Sequence, residues 1–369
     1  MNHERMIHLE CARGIASLLV LFHHFSMAFC ENIKPYLIIS GLVNGSGAVS
    51  FFFTLSGFVL TLSLYRNLSL EKLLASVIKR LPRLMVPVGA SVFIGYMVLE
   101  FTGSQYRLAA SLSGSDWLRD FGNAHFPPNF SPSMLDALSQ SLLVFIVPRN
   151  FYYNSNMWTM VNEFYGSMLV FGIVLLVVVK AINKFYIIEI LHIGLIIILS
   201  MIHHPFVPFI AGSLLSYRIA KNDAELKISM PAAWLLLIIA AIAFSVDQWG
   251  ANALASILVM IVLLGNRPVA DGLSSRTGAF IGRLSFPLYL VHTLVILSVS
   301  SFVYTRLSTL AFSETIVLLV TLVVTLLVSG VSCLPFLVLD AYWGPWLNER
   351  VRAFVGRLVL NFSPIYPRS

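Results

Sequence analysis

Two ionisable residues of the first apolar stretch, Arg13 and His24, have types and a spacing that could do chemistry. They are eleven residues apart, so on a helix they lie within about 20° of the same face and about 16 Å apart along the axis. Between them on that face lie Ala16, Ser17 and Val20. These side chains are mostly small, so the face could border a channel.

His24 can take up and return a proton near neutral pH, which is what a general base requires. The structural alternative is that Arg13 extends to the inner headgroups and His24 only caps the outer end of the helix. Ionisable residues inside a membrane are costly and usually functional. This cost favours a functional pair.

Two more polar residues stand in apolar surroundings. Glu163 follows Trp158 in the fourth predicted helix, and a carboxylate there needs a partner. A histidine or an acceptor sugar are the candidates, and a buried polar bridge between helices is the alternative. Ser56 precedes Gly57 in an aromatic run, which favours close helix packing. A nucleophilic role for Ser56 has no base that the sequence can assign.

Arg80 and Arg83 are three residues apart, shortly before Pro87. Two guanidinium groups on one helical face suit phosphates, either of lipid headgroups or of a nucleotide.

The ninth predicted helix carries a polar stripe on an otherwise apolar surface: Gly282, Ser285, Tyr289 and His292. The stripe either lines the same cavity as His24 or forms hydrogen bonds to a neighbouring helix. The other histidines show no metal-ligand spacing, and no nucleotide-binding glycine loop is present.

The composition indicates the elements that must position these residues. Of 369 residues, 58% are hydrophobic and 11% are charged, with a mean hydropathy of +0.84. Soluble domains carry about a quarter charged residues. These figures exclude a soluble globule, a disordered chain, a coiled coil and a disulfide scaffold. They predict an all-α, polytopic membrane helix bundle.

We predict about ten transmembrane helices, at residues 7–28, 46–65, 84–102, 157–179, 185–201, 203–219, 230–246, 249–265, 279–299 and 314–338. With the N-terminus in the cytoplasm, 18 of the 24 Lys and Arg residues fall in inside segments and 5 in outside segments, and Arg13 lies in the membrane. The positive-inside rule therefore places both termini in the cytoplasm and explains the net charge of +7.

We expect residues 1–340 to form one membrane domain and residues 341–369 a cytoplasmic tail too short for a soluble catalytic domain. Residues 66–83 form a basic amphipathic stretch suited to the cytoplasmic surface. The outer segment 103–156 contains an apolar stretch, 134–147, that is too short to span and favours a re-entrant or interfacial helix.

The motifs together resemble the acyltransferase-3 family of integral membrane acyltransferases, without a fused extracytoplasmic hydrolase-like domain. The matching stretches follow the family's order, and they are Arg13 with His24, Gly47 to Phe58, Arg80 with Arg83 and Pro87, Trp158 to Tyr165, and Ser285 to His292.

The resemblance implies a bacterial inner-membrane enzyme that moves an acyl group, usually acetyl, from cytoplasmic acyl-CoA to a carbohydrate hydroxyl across the membrane. It implies that Arg13 and His24 are the functional pair and that Arg80 and Arg83 contact the donor. Glu163 and Ser56 match motif positions, and we expect Glu163 among the catalytic groups and Ser56 among the donor contacts.

The predicted activity is therefore O-acetyl transfer, with acetyl-CoA as co-substrate and a surface polysaccharide or lipid-linked saccharide as acceptor. Membrane lipid is an expected partner and nucleic acid is not, and no metal site is predicted. His24 would act as general base on the acceptor hydroxyl, while the pantetheine arm of the donor would reach toward it along a pore. The alternative is a transporter or flippase of a lipid-linked sugar or anion, although the internal symmetry typical of transporters is absent.

Overall fold

A computed structural model of the protein describes residues 6–31, 43–102, 105–146, 151–179, 185–222 and 226–362. Within these ranges the secondary structure is helical and contains no strand. The prediction of an all-α polytopic helix bundle is therefore confirmed. Parts of the predicted outer segment 103–156 and of the predicted tail 341–369 lie outside the described residues.

The described helices of the first half of the chain are α1 (Ile7–Phe29), α2 (Gly45–Arg66), α3 (Leu70–Phe101), α4 (Gln105–Ser113), α5 (Asp116–Arg119), α6 (Met134–Leu143) and α7 (Met157–Val178). Those of the second half are α8 (Phe185–Ile202), α9 (Val207–Asn222), α10 (Met230–Ser245), α11 (Trp249–Gly265), α12 (Arg267–Leu273), α13 (Arg276–Val295), α14 (Ser301–Thr309), α15 (Glu314–Ser332) and α16 (Leu334–Phe362). A π-helical segment, Ile296–Ser300, joins α13 to α14.

In the described ranges, seven helical stretches are long and apolar enough to cross a membrane, or up to eight if the bent pair α11 and α12 forms one span. A helix is present at each of the ten predicted positions, but α9 and α10 have 16 residues and α11 has 17. These three are shorter than the roughly 20 residues of a typical span. The chain is a multi-pass membrane protein, while the number of spans and the side of each terminus stay predictions.

One helix differs from the predicted pattern. The amphipathic stretch 66–83 and the third predicted span largely form a single helix, α3, of 32 residues. It continues through Pro82 and Pro87, so the prolines do not mark its start. Its length of about 48 Å exceeds the roughly 30 Å of membrane hydrocarbon. Part of α3 therefore extends beyond the apolar layer.

The chain divides into two compact units. The first unit comprises Met1–Val49, Met85–Val161 and Ala270–Leu337, and the second comprises Ser50–Leu84, Asn162–Val269 and Val338–Ser369. The predicted domain boundary at residue 340 falls inside α16, and that division stays a prediction.

In the first unit, α1 packs closely along α13 because glycines face the contact from both sides. A Cβ atom on Gly14 would lie 2.5 Å from Cγ2 of Ile281, and one on Gly282 would lie 2.7 Å from the backbone carbon of Glu10. Such distances leave no room for a side chain. The two backbones approach each other to a distance that only glycine permits.

The C-terminal part of α1 lies in an apolar core shared with α4, α5 and the π-helical segment. Its largest buried members include Phe25, Phe29, Tyr106, Trp117 and Phe121. The ring of Phe29 stacks on that of Tyr304 with centroids 4.8 Å apart. This core fixes the short helix α5 against α1.

The second unit has its own core around Tyr65 and Tyr217. In this unit α2 contacts α9 at Gly57, where a Cβ atom would lie 2.1 Å from the carbonyl oxygen of Phe209. The close helix packing predicted for the Ser56-Gly57 pair is present.

The contact between α1 and α13 predicts opposite effects for two glycine substitutions. We expect Gly282→Ala to lower the thermal unfolding midpoint in detergent, because overpacking costs about 1–3 kcal/mol. Gly172→Ala in α7 is the matched control, since no atom lies within 4 Å of its added Cβ. Alanine there should raise the stability by up to about 1 kcal/mol. Equal midpoints for the two variants would contradict this account of the contact.

Candidate functional site

A hydrogen bond between two histidines joins α1 and α13 in the first unit. Nδ1 of His24 lies 2.8 Å from Nε2 of His292, and the two rings are stacked with an interplanar angle of 6°. His292 is fully buried, and His24 is partly buried. The two predicted elements, the Arg13–His24 face and the polar stripe, therefore meet at this bond.

The hydrogen bonds determine which nitrogens carry protons. Nδ1 of His292 donates to the carbonyl oxygen of Leu288 at 2.9 Å, because a carbonyl can only accept. In neutral His292 the other nitrogen, Nε2, must then accept, so Nδ1 of His24 donates to it. Burying a charge on His292 would be costly, which favours its neutral form. The lone pair of neutral His24 is therefore on Nε2.

That lone pair has the character of a general base. No other described residue forms a hydrogen bond with Nε2 of His24. A base whose other nitrogen is held by a third group is the arrangement that activates hydroxyl nucleophiles in many enzymes. Here His292 is the orienting group.

Trp117 of α5 covers the His24 ring. The two rings stack with centroids 5.1 Å apart and an interplanar angle of 19°. Trp117 also lines a cavity of about 310 Å³, together with Met27, Glu31, Asp116, Asp120 and Asn123. The cavity therefore shares a wall residue with the His24 environment.

Arg13 is placed by the same pair of helices. Its Nε donates to Oγ of Ser285 at 2.9 Å. Ala16, Ser17 and Val20, which lie between Arg13 and His24, are only 4%, 1% and 2% exposed. This face is packed, so the channel expected along it is not open in the structure. The reason is the close approach of α13, which fills the space beside these small side chains.

The rest of the polar stripe also forms hydrogen bonds to neighbouring elements. The Tyr289 hydroxyl bonds with Oγ1 of Thr159 at 2.8 Å. Nδ2 of Asn156 donates to the carbonyl of Tyr289 and to Oγ1 of Thr293, at 3.1 and 2.7 Å. Of the two uses considered for the stripe, hydrogen bonding to a neighbouring helix is the one observed. The π-helical segment follows directly, a feature common at functional sites.

The second unit contains a separate polar cluster around Glu163. Oε1 of Glu163 forms an ion pair with Arg80 and accepts a hydrogen bond from Oγ of Ser56 at 2.6 Å. Nε of Arg80 donates to Oγ of Ser167 at 2.9 Å. The partner of Glu163 is thus an arginine and not a histidine, and the buried polar bridge considered as the alternative is present. Arg80 is the partner because an arginine and a carboxylate neutralise each other in apolar surroundings.

This arrangement separates the two arginines that were expected to act together. Arg80 is only 12% exposed and is engaged by Glu163, whereas Arg83 is 46% exposed and lies 3.8 Å from Asp340. The structure thus unites Arg80, Ser56 and Glu163 in one polar bridge between helices. The catalytic role of Glu163 and the donor contacts of Arg80 and Ser56 stay predictions.

Three residues of the first unit were missed or undervalued by sequence reasoning. His292 was noted as part of the stripe and of a motif stretch but was given no role, although its position seven residues after Ser285 places both on one helical face. Asn156 could have been noticed as a polar residue just before a helix. Trp117 gave no signal, because its contact with His24 joins distant parts of the chain.

Among the described residues, no group of three or more His, Cys, Asp or Glu side chains is placed to hold a metal ion. The acyltransferase-3 family model, described as an acyltransferase domain, matches residues 6–334. The chain belongs to the acyltransferase-3 family. No curated protein and no solved structure matches it. This membrane acyltransferase therefore takes its reaction class from the family, and its donor and acceptor must be argued from the site.

The polar bridge predicts that Glu163 contributes strongly to stability. Glu163→Gln would leave the Arg80 charge without its carboxylate, at a cost of about 3–5 kcal/mol for a buried pair. The control is Asp340→Asn, which breaks an exposed pair of roughly 0–1 kcal/mol. Thermal unfolding in detergent should show a large loss for the first variant and little change for the second. Similar losses in both would argue against a buried bridge.

Proposed function

We propose that this acyltransferase moves an acyl group, most simply acetyl, from cytoplasmic acyl-CoA to a hydroxyl of a surface carbohydrate or lipid-linked sugar in the bacterial inner membrane. The observation that carries the proposal is the His24–His292 hydrogen bond, which leaves a lone pair on Nε2 of His24. An O-acyltransferase needs such a base to activate its acceptor.

The proposed step transfers one proton and one acyl group. Nε2 of His24 takes the proton of the acceptor hydroxyl while the oxygen attacks the thioester carbonyl carbon. A C–O bond forms, the C–S bond breaks, and the departing CoA thiolate takes the proton back from His24. The base is regenerated, and no further reactant is required.

The acceptor side of the reaction is assigned to the cavity beside Trp117. Its volume of about 310 Å³ is at the lower end of the roughly 300–1,000 Å³ of small-molecule sites, which suits one sugar ring. Its wall includes the carboxylates Glu31, Asp116 and Asp120. Carboxylates accept hydrogen bonds from hydroxyl groups, so this lining is compatible with a polyol.

The donor side is assigned to cationic residues. Arg83 is exposed and can contact a phosphate directly, whereas Arg80 would first have to exchange Glu163 for the donor. Ser56 is likewise held by Glu163. Arg13 lies about 16 Å from His24 along α1, so it cannot contact the same reacting atoms. We assign Arg13 to a part of the donor remote from the thioester.

The neighbouring histidine provides a matched control for the role of His24. His23 bonds to the carbonyl of Val43 at 3.0 Å rather than to His292. In nanodiscs with radiolabelled acetyl-CoA and a saccharide acceptor extract, we expect His24→Ala to reduce transfer by about 10²–10⁴-fold, as for other general bases. His23→Ala should retain activity close to that of the wild type.

Wild-type transfer by well-folded His24→Ala protein would refute the assigned base. A wild-type protein that neither binds CoA nor hydrolyses acetyl-CoA would favour the transport alternative. Mass spectrometry of surface polysaccharide, with and without the gene, would identify the acceptor.

A further inference from the structure

The C-terminal helix α16 packs against the first half of α3 in the second unit. Leu347, Val351 and Val355 of α16 are buried in a small core with Leu74 and Ile78 of α3. The contact is extended by Trp343, whose indole Nε1 donates to the carbonyl oxygen of Pro82 at 3.1 Å. Three apolar positions spaced four residues apart form one continuous stripe on α16. The two helices are therefore held in a fixed register.

With the helices in this register, four cationic residues lie at the edge of the apolar contact. Lys79, Arg80 and Arg83 come from α3, and Arg352 comes from α16. Lys79 experiences Coulombic repulsion from all three arginines, so the four charges lie within electrostatic reach of each other. Nζ of Lys79 also donates to Oδ1 of Asn348 at 3.4 Å.

The cluster is only partly neutralised by protein carboxylates. Glu163 compensates Arg80 in the polar bridge, and Asp340 faces Arg83 at 3.8 Å. Both members of the Arg83–Asp340 pair are exposed, so that pair is weak. In the described part of the chain, no carboxylate forms an ion pair with Lys79 or Arg352. A net positive site remains.

We propose that Lys79, Arg83 and Arg352 form a phosphate-binding site across α3 and α16, and that its ligand is the phosphate-rich end of the acyl-CoA donor. The inference rests on the proposed function, and it names the donor site and two residues that the motifs do not include. Guanidinium and ammonium groups form strong charge-assisted hydrogen bonds with phosphate oxygens. Three cations suit a ligand that carries several phosphates better than Arg83 alone.

The apolar contact gives this site its rigidity. Because α16 is held by Leu347, Val351 and Val355, the Arg352 backbone is positioned before a ligand arrives. Such preorganisation lowers the entropic cost of binding. The segment expected to be a simple cytoplasmic tail thus contributes a ligand-binding residue.

A second arginine of α16 supplies the control. Arg350 is two residues before Arg352, which places it about 200° away around the helix. Its guanidinium lies over the Trp346 ring, 5.7 Å from the centroid. The full chain would be placed in nanodiscs of neutral lipid, and CoA binding measured by titration calorimetry for Lys79→Gln, Arg352→Gln and Arg350→Gln.

We expect Lys79→Gln and Arg352→Gln to raise the Kd for CoA about tenfold each, the effect of losing one charge-assisted contact. Arg350→Gln should stay within about twofold of the wild type, and Arg352→Lys should retain most of the affinity because lysine also binds phosphate as a point charge. Unchanged thermal unfolding would exclude misfolding as the cause.

Two results would overturn the proposal, and a third would overturn the function on which it rests. If CoA binds the wild type and all three Gln variants equally, the site is wrong while the donor stands. The thermal unfolding midpoint would also be compared in discs with and without anionic lipid. If anionic lipid stabilises the wild type but not Lys79→Gln or Arg352→Gln, and both variants keep their CoA affinity, the cations bind lipid phosphates instead. If the wild type binds no CoA in neutral discs, the proposed donor itself is wrong.

Discussion

The hydrogen bond between His24 and His292 is the interaction on which the active-site account depends. It requires α1 and α13 to lie side by side, which the glycines at 14 and 282 permit. It also requires His292 to be buried, because burial keeps this imidazole neutral and its Nε2 can then accept the hydrogen bond that Nδ1 of His24 donates. The contacts Glu10–Gly282, Arg13–Ser285 and His24–His292 advance together along both helices, so α1 and α13 run in the same direction.

In the second unit the buried polar groups are stabilised by an ion pair instead of a histidine pair. Glu163 and Arg80 neutralise each other, and serine hydroxyls satisfy the remaining hydrogen-bonding positions. A bridge of this kind is costly to break but adds little net charge. The accessible positive charge of this unit is carried by other residues, and the exposed Arg83 and Arg352 among them are better placed than Arg80 to attract an anionic ligand.

Much of the fold could be predicted from the sequence, because long apolar stretches allow few structures other than membrane helices. The shared face of Arg13 and His24 followed from helical periodicity, and their importance followed from the cost of ionisable groups in lipid. The partners could not be predicted in this way. His292 is 268 residues from His24, and Glu163 is 83 residues from Arg80. Pairings at such separations depend on tertiary packing, as do the continuation of α3 through Pro87 and the stacking of Trp117.

The proposed role of His24 depends on its being held with its proton on Nδ1 and its lone pair on Nε2. Nitrogen NMR of the protein in lipid, with ¹⁵N-labelled histidine side chains and His24→Asn protein to assign the signals, measures this directly. In the wild type we expect a protonated Nδ1 and an unprotonated Nε2 for His24, and we expect this preference to be lost in His292→Ala. A protonated Nε2 in the wild type would contradict this assignment, and so would a His24 signal that is identical in the wild type and in His292→Ala.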